Sequence, residues 1–367
     1  MITSCPRTPY PRALVPSRPP DKLRSMAVLH LAAGNRWTGA AAPAFAEVAA
    51  LRAAGVDAHY AYVGGYKLEQ KIGHLDFAHP LIEKAQNPLS FRRTVRALRR
   101  FIKERGIELV HAHLTYDHWL ARFAGGRLAR TFHARRVVRS DPFTRALIAK
   151  TDVLCVINDT FDVRGAVFTP PPVDHRQFHP DGANVRAAYG IGEDVPLLVA
   201  IGKLTADRGF EHVLRTAAVL GQAPSPVHLM IIGHGPHRPA LESLAGELGI
   251  TSRVTWAGYH EDDLAEHYRA ADALLFTARG SDEGHRAILE AMACGVPPAS
   301  YPIDGVAALT GPEHVAESAT PEALAKTVSG ILGRGELRAS VSAKSQEFGY
   351  TRAAQRLLSA YALQSRP

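Results

Sequence analysis

Two cations lie close together in the sequence, directly after an apolar run that is typical of a buried strand. The stretch "AIGKLTADRGFEHVL" has Lys203 at the end of that run and Arg208 five residues later, in front of a helical pattern. Two cations at the carboxyl end of a parallel strand, beside a helix N-terminus, suit a diphosphate. A surface pair flanking a loop is the alternative, and spacing alone does not decide between the two.

A second group of candidate residues lies in "SDEGHRAILEAMACGVP", residues 281–297. If "HRAILEAMA" is a helix, the backbone N–H groups near Gly284 and His285 point toward an anion. Glu290, about a turn inside, can accept hydrogen bonds from both hydroxyls of a ribose, and Asp282 lies nearer to the sugar of a sugar nucleotide. Taken alone, the same residues also suit an N-cap at Asp282 and a solvated Glu290.

A glycine turn provides a third candidate. The stretch "IIGHGPHRPALESL" has Gly233 and Gly235 after another strand pattern. Glycines let backbone N–H groups approach a nucleotide, so this turn is a candidate nucleotide loop, although any tight turn from a strand to a helix could use them.

These candidates belong to a regular alternation of strand and helix patterns that starts at residue 26. Apolar strand runs such as "AVLHLAA", "IELVHAHL" and "DVLCVIN" alternate with helical patterns such as "AAAPAFAEVAALRAAG" and "FRRTVRALRRFIKERG". This alternation predicts an α/β protein with parallel sheets covered by helices on both faces. The prolines of "FTPPPVDHRQFHPDG" interrupt it, and the pattern restarts at "PLLVAIG". We therefore predict two doubly wound Rossmann-like domains that face a cleft.

Length and composition agree with two domains of a globular protein. The chain has 367 residues, of which 46% are hydrophobic and 21% charged, and no apolar run is long enough to span a membrane. Three scattered cysteines favour neither disulfides nor a zinc site and fit a reducing cytoplasm. Residues 1–25 are rich in Pro and Arg and lack the apolar region of a signal peptide, so we expect a disordered arm, or a chain that starts at Met26.

Positive charge is concentrated in the first half of the chain. Residues 1–190 contain 28 Lys and Arg against 15 Asp and Glu, whereas the remainder contains 15 against 20. The predicted helix over residues 91–105 carries seven basic residues and one acidic residue, and a second basic run follows at 127–139. This helix is either a solvated face or a surface that docks on an anionic membrane or a phosphorylated lipid acceptor. Nucleic acid fits poorly, because no aromatic platform or reading helix accompanies the charge.

Several stretches together resemble one family. The segments "GKLTADRGFEHVL", "IIGHGPHRPALESLAGELGI", "RVTWAGYHEDDLAEHYRAADALLF" and "EGHRAILEAMACGVPPAS" look like the donor domain of retaining GT-B glycosyltransferases of family 4. "LVHAHLTYDH", "VINDT" and "PPPVDHRQFHP" fit the acceptor domain and linker of the same family more loosely. "FGYTRAAQRLLSAYALQ" resembles its C-terminal helix, which crosses back to the N-terminal domain.

The resemblance implies a domain plan for this chain. It gives residues 1–25 as an arm, 26–168 as an acceptor-binding domain, 169–185 as a linker, 186–345 as a donor-binding domain and 346–367 as the helix that packs back on the N-terminal domain.

The resemblance also implies roles for individual residues. Lys203 and Arg208 correspond to a pair that clamps the donor diphosphate, and Glu290 corresponds to a ribose-binding Glu. His113 resembles a histidine near the donor sugar and the reaction centre. Gly39 matches a glycine-rich loop near the phosphates.

The acidic loop departs from the family pattern. The usual spacing puts Asp282 where the family has a longer Glu, and Glu283 is the alternative occupant if the loop is one residue shorter. Either residue would orient the hydroxyls of the donor sugar. His234 replaces a common Asp, and Pro298-Ala299 replaces an apolar pair.

The resemblance implies a retaining transfer on one face of the sugar, with the leaving phosphate assisting the incoming hydroxyl. We predict a hexosyltransferase that moves a sugar from a nucleotide sugar to a glycan or lipid-linked acceptor in cell-envelope polysaccharide or lipopolysaccharide synthesis. The alternatives are a non-catalytic homologue that binds nucleotide sugar and an epimerase of the same fold. We expect a cytoplasmic protein, with peripheral association on the inner face of the cytoplasmic membrane as an open alternative.

We expect no cofactor and no metal ion, because the nucleotide sugar is a substrate. The "HAH" pair, His111 and His113, could bind a metal. We expect the two side chains to point to opposite faces of their strand, so that they do not easily share one ion.

Overall fold

The computed structural model describes residues 26–34, 39–133, 141–221, 226–260, 262–278 and 285–362. The predicted N-terminal arm, residues 1–25, lies outside the described residues. Within them, no helix is both long enough and apolar enough to cross a bilayer.

The N-terminal domain is built on one parallel sheet of seven strands in the order β3-β2-β1-β4-β5-β6-β7. Its strands are β1 Ala27–Ala32, β2 Asp57–Val63, β3 Ala78–Ile82, β4 Ile107–Ala112, β5 Arg127–Phe132, β6 Val153–Val156 and β7 Val167–Phe168. Every residue of β1 is buried, which is why the strand is a continuous apolar run around one histidine. The central strands therefore have helices on both faces.

Five helices connect these strands. They are α1 Ala41–Ala53, α2 Lys67–Ile72, α3 Pro88–Arg105, α4 Thr115–Ala124 and α5 Pro142–Ala149. The basic helix α3 begins three residues before its predicted start, because Asn87 and Ser90 form a capping box in which Asn87 Oδ1 accepts from Ser90 N at 2.9 Å and Ser90 Oγ accepts from Asn87 N at 3.0 Å. Val95 and Leu98 are buried on its inner face.

The second basic run does not form a surface over its whole length. Its first part is β5, which lies between β4 and β6 inside the sheet. Arg130 in this strand is only 7% exposed, and burial lowers its pKa to about 10. Arg130 therefore does not contribute to a basic surface, because alternation in a strand turns some of its side chains inward.

The C-terminal domain has a parallel sheet of five strands in the order β10-β9-β8-β11-β12. Its strands are β8 Leu197–Ile201, β9 His228–Ile232, β10 Val254–Gly258, β11 Ala273–Phe276 and β12 Pro298–Ser300. Its helices are α6 Phe210–Leu220, α7 Arg238–Glu247, α8 Leu264–Ala270, α9 Arg286–Ala293, α10 Val306–Thr310, α11 Pro321–Ser329 and α12 Glu336–Ser345. The loops that leave the carboxyl ends of β8, β9 and β11 carry the predicted donor site, at the edge where parallel α/β sheets bind ligands.

The last helix, α13 Tyr350–Ala362, returns to the N-terminal domain. Leu357, Leu358 and Tyr361 are at most 1% exposed and join the core formed by β1, β2 and α1. Arg127 Nη2 in β5 also donates to the Tyr361 carbonyl at 2.8 Å. Burying each leucine contributes roughly 1.5–3 kcal/mol. The predicted fold, two Rossmann-like domains with a C-terminal helix that crosses back, is confirmed.

Candidate active site

The predicted diphosphate cations lie on the loop between β8 and α6. Lys203 is exposed, and Arg208 is half-buried at the end of a single 3-10 turn over Ala206–Arg208. Both residues therefore lie beyond the carboxyl end of β8, in front of the start of α6. This position agrees with a clamp for a bound anion, which stays a prediction for both residues.

A tight contact fixes this loop against the neighbouring strand. Gly209 has φ +73°, and a Cβ at this position would lie 2.9 Å from Thr277 Oγ1. Thr277 follows β11 and donates from Oγ1 to the Gly209 carbonyl at 3.0 Å. Because a residue with a side chain fits neither the backbone angle nor the space, Gly209 holds the Arg208 turn next to the end of β11.

The two glycines of the predicted nucleotide loop are required by the packing of two loops against each other. A Cβ on Gly233 would collide with the Gly202 carbonyl oxygen, and a Cβ on Gly235 would collide with the Leu204 carbonyl oxygen. Leu204 N also donates to the His234 carbonyl at 3.0 Å. The glycines thus let the turn after β9 pack directly on the loop after β8, and contact with a nucleotide stays a prediction.

The residue in front of α9 has an unusual backbone conformation. His285 has φ 52° and is the one non-glycine residue with positive φ in the described part of the chain. Its ring is 3% exposed, and Nε2 lies 2.9 Å from the Asp304 carbonyl, which fixes Nε2 as the donor. Left-handed backbone at a non-glycine residue costs free energy and is concentrated at functional sites. Asp282, Glu283 and Gly284, which precede it, lie outside the described residues.

The predicted ribose carboxylate is held on two sides. Glu290 is 9% exposed, and Tyr268, which is fully buried in α8, donates from its hydroxyl to Glu290 Oε2 at 3.3 Å. Arg286, one turn earlier in α9, lies with Nε 3.2 Å from Glu290 Oε1. Glu290 is therefore not the solvated surface residue of the alternative interpretation. Its carboxylate is fixed within α9 by these two contacts, and the binding of a ribose stays a prediction.

His113 lies in the interior of the N-terminal domain, directly after β4. It is 1% exposed, with Nε2 at 2.9 Å from His30 Nδ1 and Nδ1 at 2.8 Å from His133 Nε2. Burial, with His111 and His30 as neighbours, lowers the pKa of His113 well below its ordinary value. Both ring nitrogens are engaged by histidines, and the predicted contact with a donor sugar stays a prediction.

The expectation that His111 and His113 point to opposite faces is wrong. Their rings stack with centroids 4.6 Å apart and an interplanar angle of 22°. Residues two apart in an extended chain lie on the same face, since the side-chain period of a strand is two. The geometry of the strand therefore does not prevent His111 and His113 from sharing one metal ion.

Gly39 lies in the turn before α1, where it is exposed and has φ +64°. Residues 35–38, the rest of the glycine-rich loop, lie outside the described residues. Ala33, at the start of this loop, donates its N–H to Asp117 Oδ1 at 2.9 Å, and Leu114 N donates to Asp117 Oδ2 at 2.8 Å. Burial raises the pKa of Asp117 to about 6, and Arg130 opposes the shift.

Sequence reasoning missed four residues that build this site. Arg286 and Tyr268 hold Glu290, and Asp117 accepts the Ala33 N–H in front of the loop that leads to Gly39. Asn158 of the N-terminal domain donates from Nδ2 to the Asp304 carbonyl of the C-terminal domain at 3.0 Å. Asp117 had a readable signal, because an acidic residue in the first turn is typical of the start of a helix. The others meet their partners only through tertiary structure, which a single sequence does not show.

Comparisons with known proteins identify the C-terminal domain. Residues 182–348 match the family model described as Glycosyl transferases group 1. The 2-deoxystreptamine glucosyltransferase of Streptomyces kanamyceticus is 26% identical over 255 residues, which make up 67% of this chain and 62% of that protein. The chain thus spans less than two thirds of this curated relative. The predicted group 1 glycosyltransferase domain is confirmed for residues 182–348, and the relative belongs to the predicted enzyme class.

Solved structures show the same architecture. A glycosyltransferase from Rickettsia africae ESF-5 has a TM-score of 0.77 at 16% identity, with 92% of this chain and 98% of that chain covered. The Anabaena protein HepE in complex with UDP-glucose has a TM-score of 0.72 at 15% identity, with 92% and 99% covered. At these identities the likeness establishes the fold, and it confirms the GT-B arrangement.

Proposed function

We propose that this protein is a retaining glycosyltransferase that moves a sugar from a nucleotide-sugar donor to a glycan or lipid-linked acceptor in cell-envelope polysaccharide or lipopolysaccharide synthesis. The observation that carries this proposal is the arrangement around Thr277. It joins the Arg208 turn to the end of β11, the strand that leads into α9 and its fixed carboxylate Glu290. Cations for a diphosphate and a carboxylate for a ribose thus lie at one edge of one sheet. The group 1 family match and the glucosyltransferase relative support the same donor class.

The proposed transfer uses protein cations, and no metal ion acts on the donor diphosphate. Lys203 and Arg208 neutralise the charge that develops on the leaving diphosphate, with the N–H groups at the start of α9 as further donors. Each such group contributes roughly 2–4 kcal/mol to transition-state stabilisation, judged from the loss of one oxyanion donor elsewhere. Asp282 or Glu283 orients the sugar hydroxyls, and the released phosphate oxygen accepts the proton of the incoming hydroxyl.

The acceptor is proposed to bind the N-terminal domain near α2. A pocket of about 550 Å³ there is lined by Gly65, Tyr66, Glu69 and Gln70, directly after the carboxyl end of β2. Carboxyl ends of parallel strands are where open α/β sheets bind ligands. A pocket that contains a carboxylate and a phenol suits hydroxyl-rich acceptors such as sugars.

We further propose that α3 docks on an anionic membrane surface. Its outer face is basic, and two exposed apolar side chains accompany it, Leu89 in the first turn of α3 at 62% exposure and Phe123 of α4 at 49%. The Phe123 ring contacts Phe91 of α3 with centroids 5.7 Å apart. Cations beside exposed aromatic rings are typical of interfacial binding. Co-sedimentation with anionic vesicles tests this part, and equal binding to neutral vesicles would contradict it.

A panel of sugar nucleotides, screened by thermal shift, tests the donor. A bound donor raises the melting temperature, because it stabilises the folded state alone. We expect at least one sugar nucleotide to raise it in the wild type and in Lys326→Ala, a surface control that changes an exposed lysine outside the site. The shift should be lost in Glu290→Gln.

Turnover is measured as release of nucleoside diphosphate from the donor identified in this way, with and without sugar and lipid acceptors. Acceptor-dependent release, with retention of the anomeric configuration in the product, supports the proposal. Binding without release by any acceptor tested supports the non-catalytic homologue instead. Inversion of the anomeric centre contradicts the retaining mechanism alone.

A further inference from the structure

Three imidazoles and one carboxylate meet in the core of the N-terminal domain. His30 comes from the middle of β1, Glu47 from α1, and His111 and His113 from β4 and the residue after it. All four are at most 2% exposed. Each offers one atom, and these atoms all lie within 4.8 Å of one another. We call these four residues the histidine cluster.

Glu47 has no hydrogen-bond partner for its carboxylate. Neither Oε1 nor Oε2 meets one among the described residues, although both oxygens are fully buried. A buried polar group without a partner costs several kcal/mol, and a buried carboxylate costs more. Hydrogen bonds within the protein therefore do not explain why a carboxylate occupies this place, whereas a bound cation does.

The spacing of the cluster matches a four-coordinate ion. His30 Nδ1 and His113 Nε2 lie 2.9 Å apart, and Glu47 Oε2 lies 3.6 Å from the first and 3.7 Å from the second. The same Oε2 lies 4.0 Å from His111 Nδ1. Ligands about 2.0–2.1 Å from a tetrahedral Zn²⁺ are about 3.3 Å from each other. Small movements of side chains therefore close the cluster around one ion.

The ring nitrogens that face away from the cluster have partners of their own. His111 Nε2 lies 2.7 Å from Thr131 Oγ1, and His113 Nδ1 lies 2.8 Å from His133 Nε2. His30 Nε2 lies 3.2 Å from the hydroxyl of Tyr361 in α13. Metal-bound histidines almost always have such a second hydrogen bond, which fixes the ring and its tautomer.

One contact has to change when an ion binds. The Tyr361 hydroxyl also lies 2.7 Å from His111 Nδ1, the atom that His111 offers to the ion. When the lone pair of His111 Nδ1 binds the ion, the Tyr361 hydroxyl keeps only its hydrogen bond with His30 Nε2. The nitrogens of His30 and His113 that now share a hydrogen bond separate toward the tetrahedral spacing.

We propose that His30, Glu47, His111 and His113 bind one Zn²⁺ ion. Imidazole and carboxylate ligands suit Zn²⁺, which has no geometric preference of its own and accepts a tetrahedron. All four positions are filled by protein, so the site is structural rather than catalytic. The ion joins α1 to the centre of the sheet, and α1 is the helix that follows Gly39. In the zinc-bound protein His113 is a ligand and not a group that touches the donor sugar.

The second group of possible ligands in the described residues provides a control. His260, Asp263 and His267 lie close together in the C-terminal domain, but they number three, and His260 and Asp263 are only partly buried. His260 Nδ1 lies 2.9 Å from Asp263 Oδ1, and His260 Nε2 lies 2.9 Å from the Ala257 carbonyl. Because hydrogen bonds account for these groups, Asp263→Asn is the matched control.

Metal analysis of the full chain, prepared without an affinity tag, tests the site. After incubation with Zn²⁺ and gel filtration, we expect about one zinc per chain in the wild type and in Asp263→Asn. Glu47→Gln keeps the shape of the side chain and removes its charge, so it should bind zinc at least tenfold more weakly. A wild type that retains no zinc, or a Glu47→Gln variant with unchanged affinity, overturns the proposal.

X-ray absorption on the wild type tests the ligands without any variant. We expect a first shell of nitrogen and oxygen at about 2.0–2.1 Å with the outer scattering of about three imidazoles. A shell that contains sulfur, or one with fewer than two imidazoles, places the ion elsewhere and overturns the assignment. This measurement decides the question even if Glu47→Gln does not fold.

Discussion

Asn158 of the N-terminal domain donates a hydrogen bond from Nδ2 to the backbone carbonyl of Asp304 in the C-terminal domain, over 3.0 Å. The same carbonyl lies 2.9 Å from His285 Nε2, at the start of α9. Asn158 Oδ1 in turn accepts from Thr160 N at 3.0 Å. The buried side-chain amide of Asn158 therefore connects the N-terminal domain to the start of α9, where we predict that the phosphates of the donor bind.

Replacing Asn158 with Ala should weaken this junction. The change removes a buried donor, and we expect a loss of about 1–3 kcal/mol in the free energy of unfolding. Urea unfolding measures it. Asn184→Ala is the control, because Asn184 caps the Arg186 N–H on an exposed turn and should cost clearly less. Equal losses in the two variants would show that the contact between domains contributes nothing beyond a local turn.

Gly209→Ala should cost more than Gly190→Ala. Both glycines are left-handed, with φ +73° and +65°, but a Cβ has no atom within 4 Å at Gly190, whereas it meets Thr277 at Gly209. The backbone term alone is about 1–2 kcal/mol and should appear in both. Gly209→Ala should add a steric loss and displace Arg208, so that donor affinity falls as well. A donor affinity equal to that of Gly190→Ala would mean that this contact does not position the loop.

Much of the fold was predictable from the sequence, because it depends on local patterns. The run before Gly202 is β8, the helical pattern over residues 91–105 belongs to α3, and the proline-rich stretch lies between the two sheets. The tight turn after β9 was readable for the same reason, since Gly233 and Gly235 directly follow a strand pattern.

The site was predictable only in part, because its partners are distant in the sequence. Glu290 was selected for its place in a helix, whereas Tyr268, 22 residues away, is visible as its partner only in three dimensions. The histidine cluster draws on three elements, and its central carboxylate, Glu47, looks like an ordinary residue of an Ala-rich helix. For His111 and His113 the sequence interpretation failed through an error about strand geometry, whereas nothing in the sequence marks Glu47.

Removing either predicted diphosphate cation should reduce turnover. We expect Lys203→Ala and Arg208→Ala each to lower kcat/KM at least tenfold, because each removes a charge that opposes the developing charge of the leaving group. Arg208→Lys keeps the charge and loses the planar fork, so it should fall between the wild type and Arg208→Ala. The measurement is steady-state release of nucleoside diphosphate. Normal activity in the double alanine variant would remove both residues from the site.

Tyr268→Phe should affect donor binding through Glu290. Tyr268 does not contact the ligand in the proposed site, but its hydroxyl holds Glu290 Oε2, so its loss frees a carboxylate that must accept from the ribose. We expect KM for the donor to rise several-fold with kcat little changed, since a ribose contact is made equally in the ground and transition states. With a 2′-deoxyribose donor, the rise in KM from the wild type to Tyr268→Phe should be smaller than with the ribose donor. An unchanged difference would place Glu290 away from the ribose.

Acid should destabilise the protein partly through His118. This residue of α4 is 4% exposed, and its Nε2 lies 2.8 Å from Thr151 Oγ1. The Thr151 hydroxyl donates to the Leu147 carbonyl at 2.8 Å, so His118 must be the donor and is the neutral tautomer with its proton on Nε2. Burial, with Arg130 nearby, lowers the pKa of His118 from 6.5 to about 3.

The sign of the effect follows from which state binds the proton. Between pH 6.5 and about 3, the unfolded chain protonates His118 and the folded chain does not, so the free energy of unfolding falls as the pH falls through this window. The slope reaches about 1.4 kcal/mol per pH unit from this residue. His118→Gln keeps a donor for Thr151 but does not titrate, and its stability should therefore fall less steeply with acid than that of the wild type. Urea unfolding of both proteins at several pH values from 7 to 4.5 measures the difference, in which the other titrating groups cancel. Parallel curves would mean that His118 has the same pKa in the folded and the unfolded protein, because only a difference between the two states makes the free energy of unfolding depend on pH.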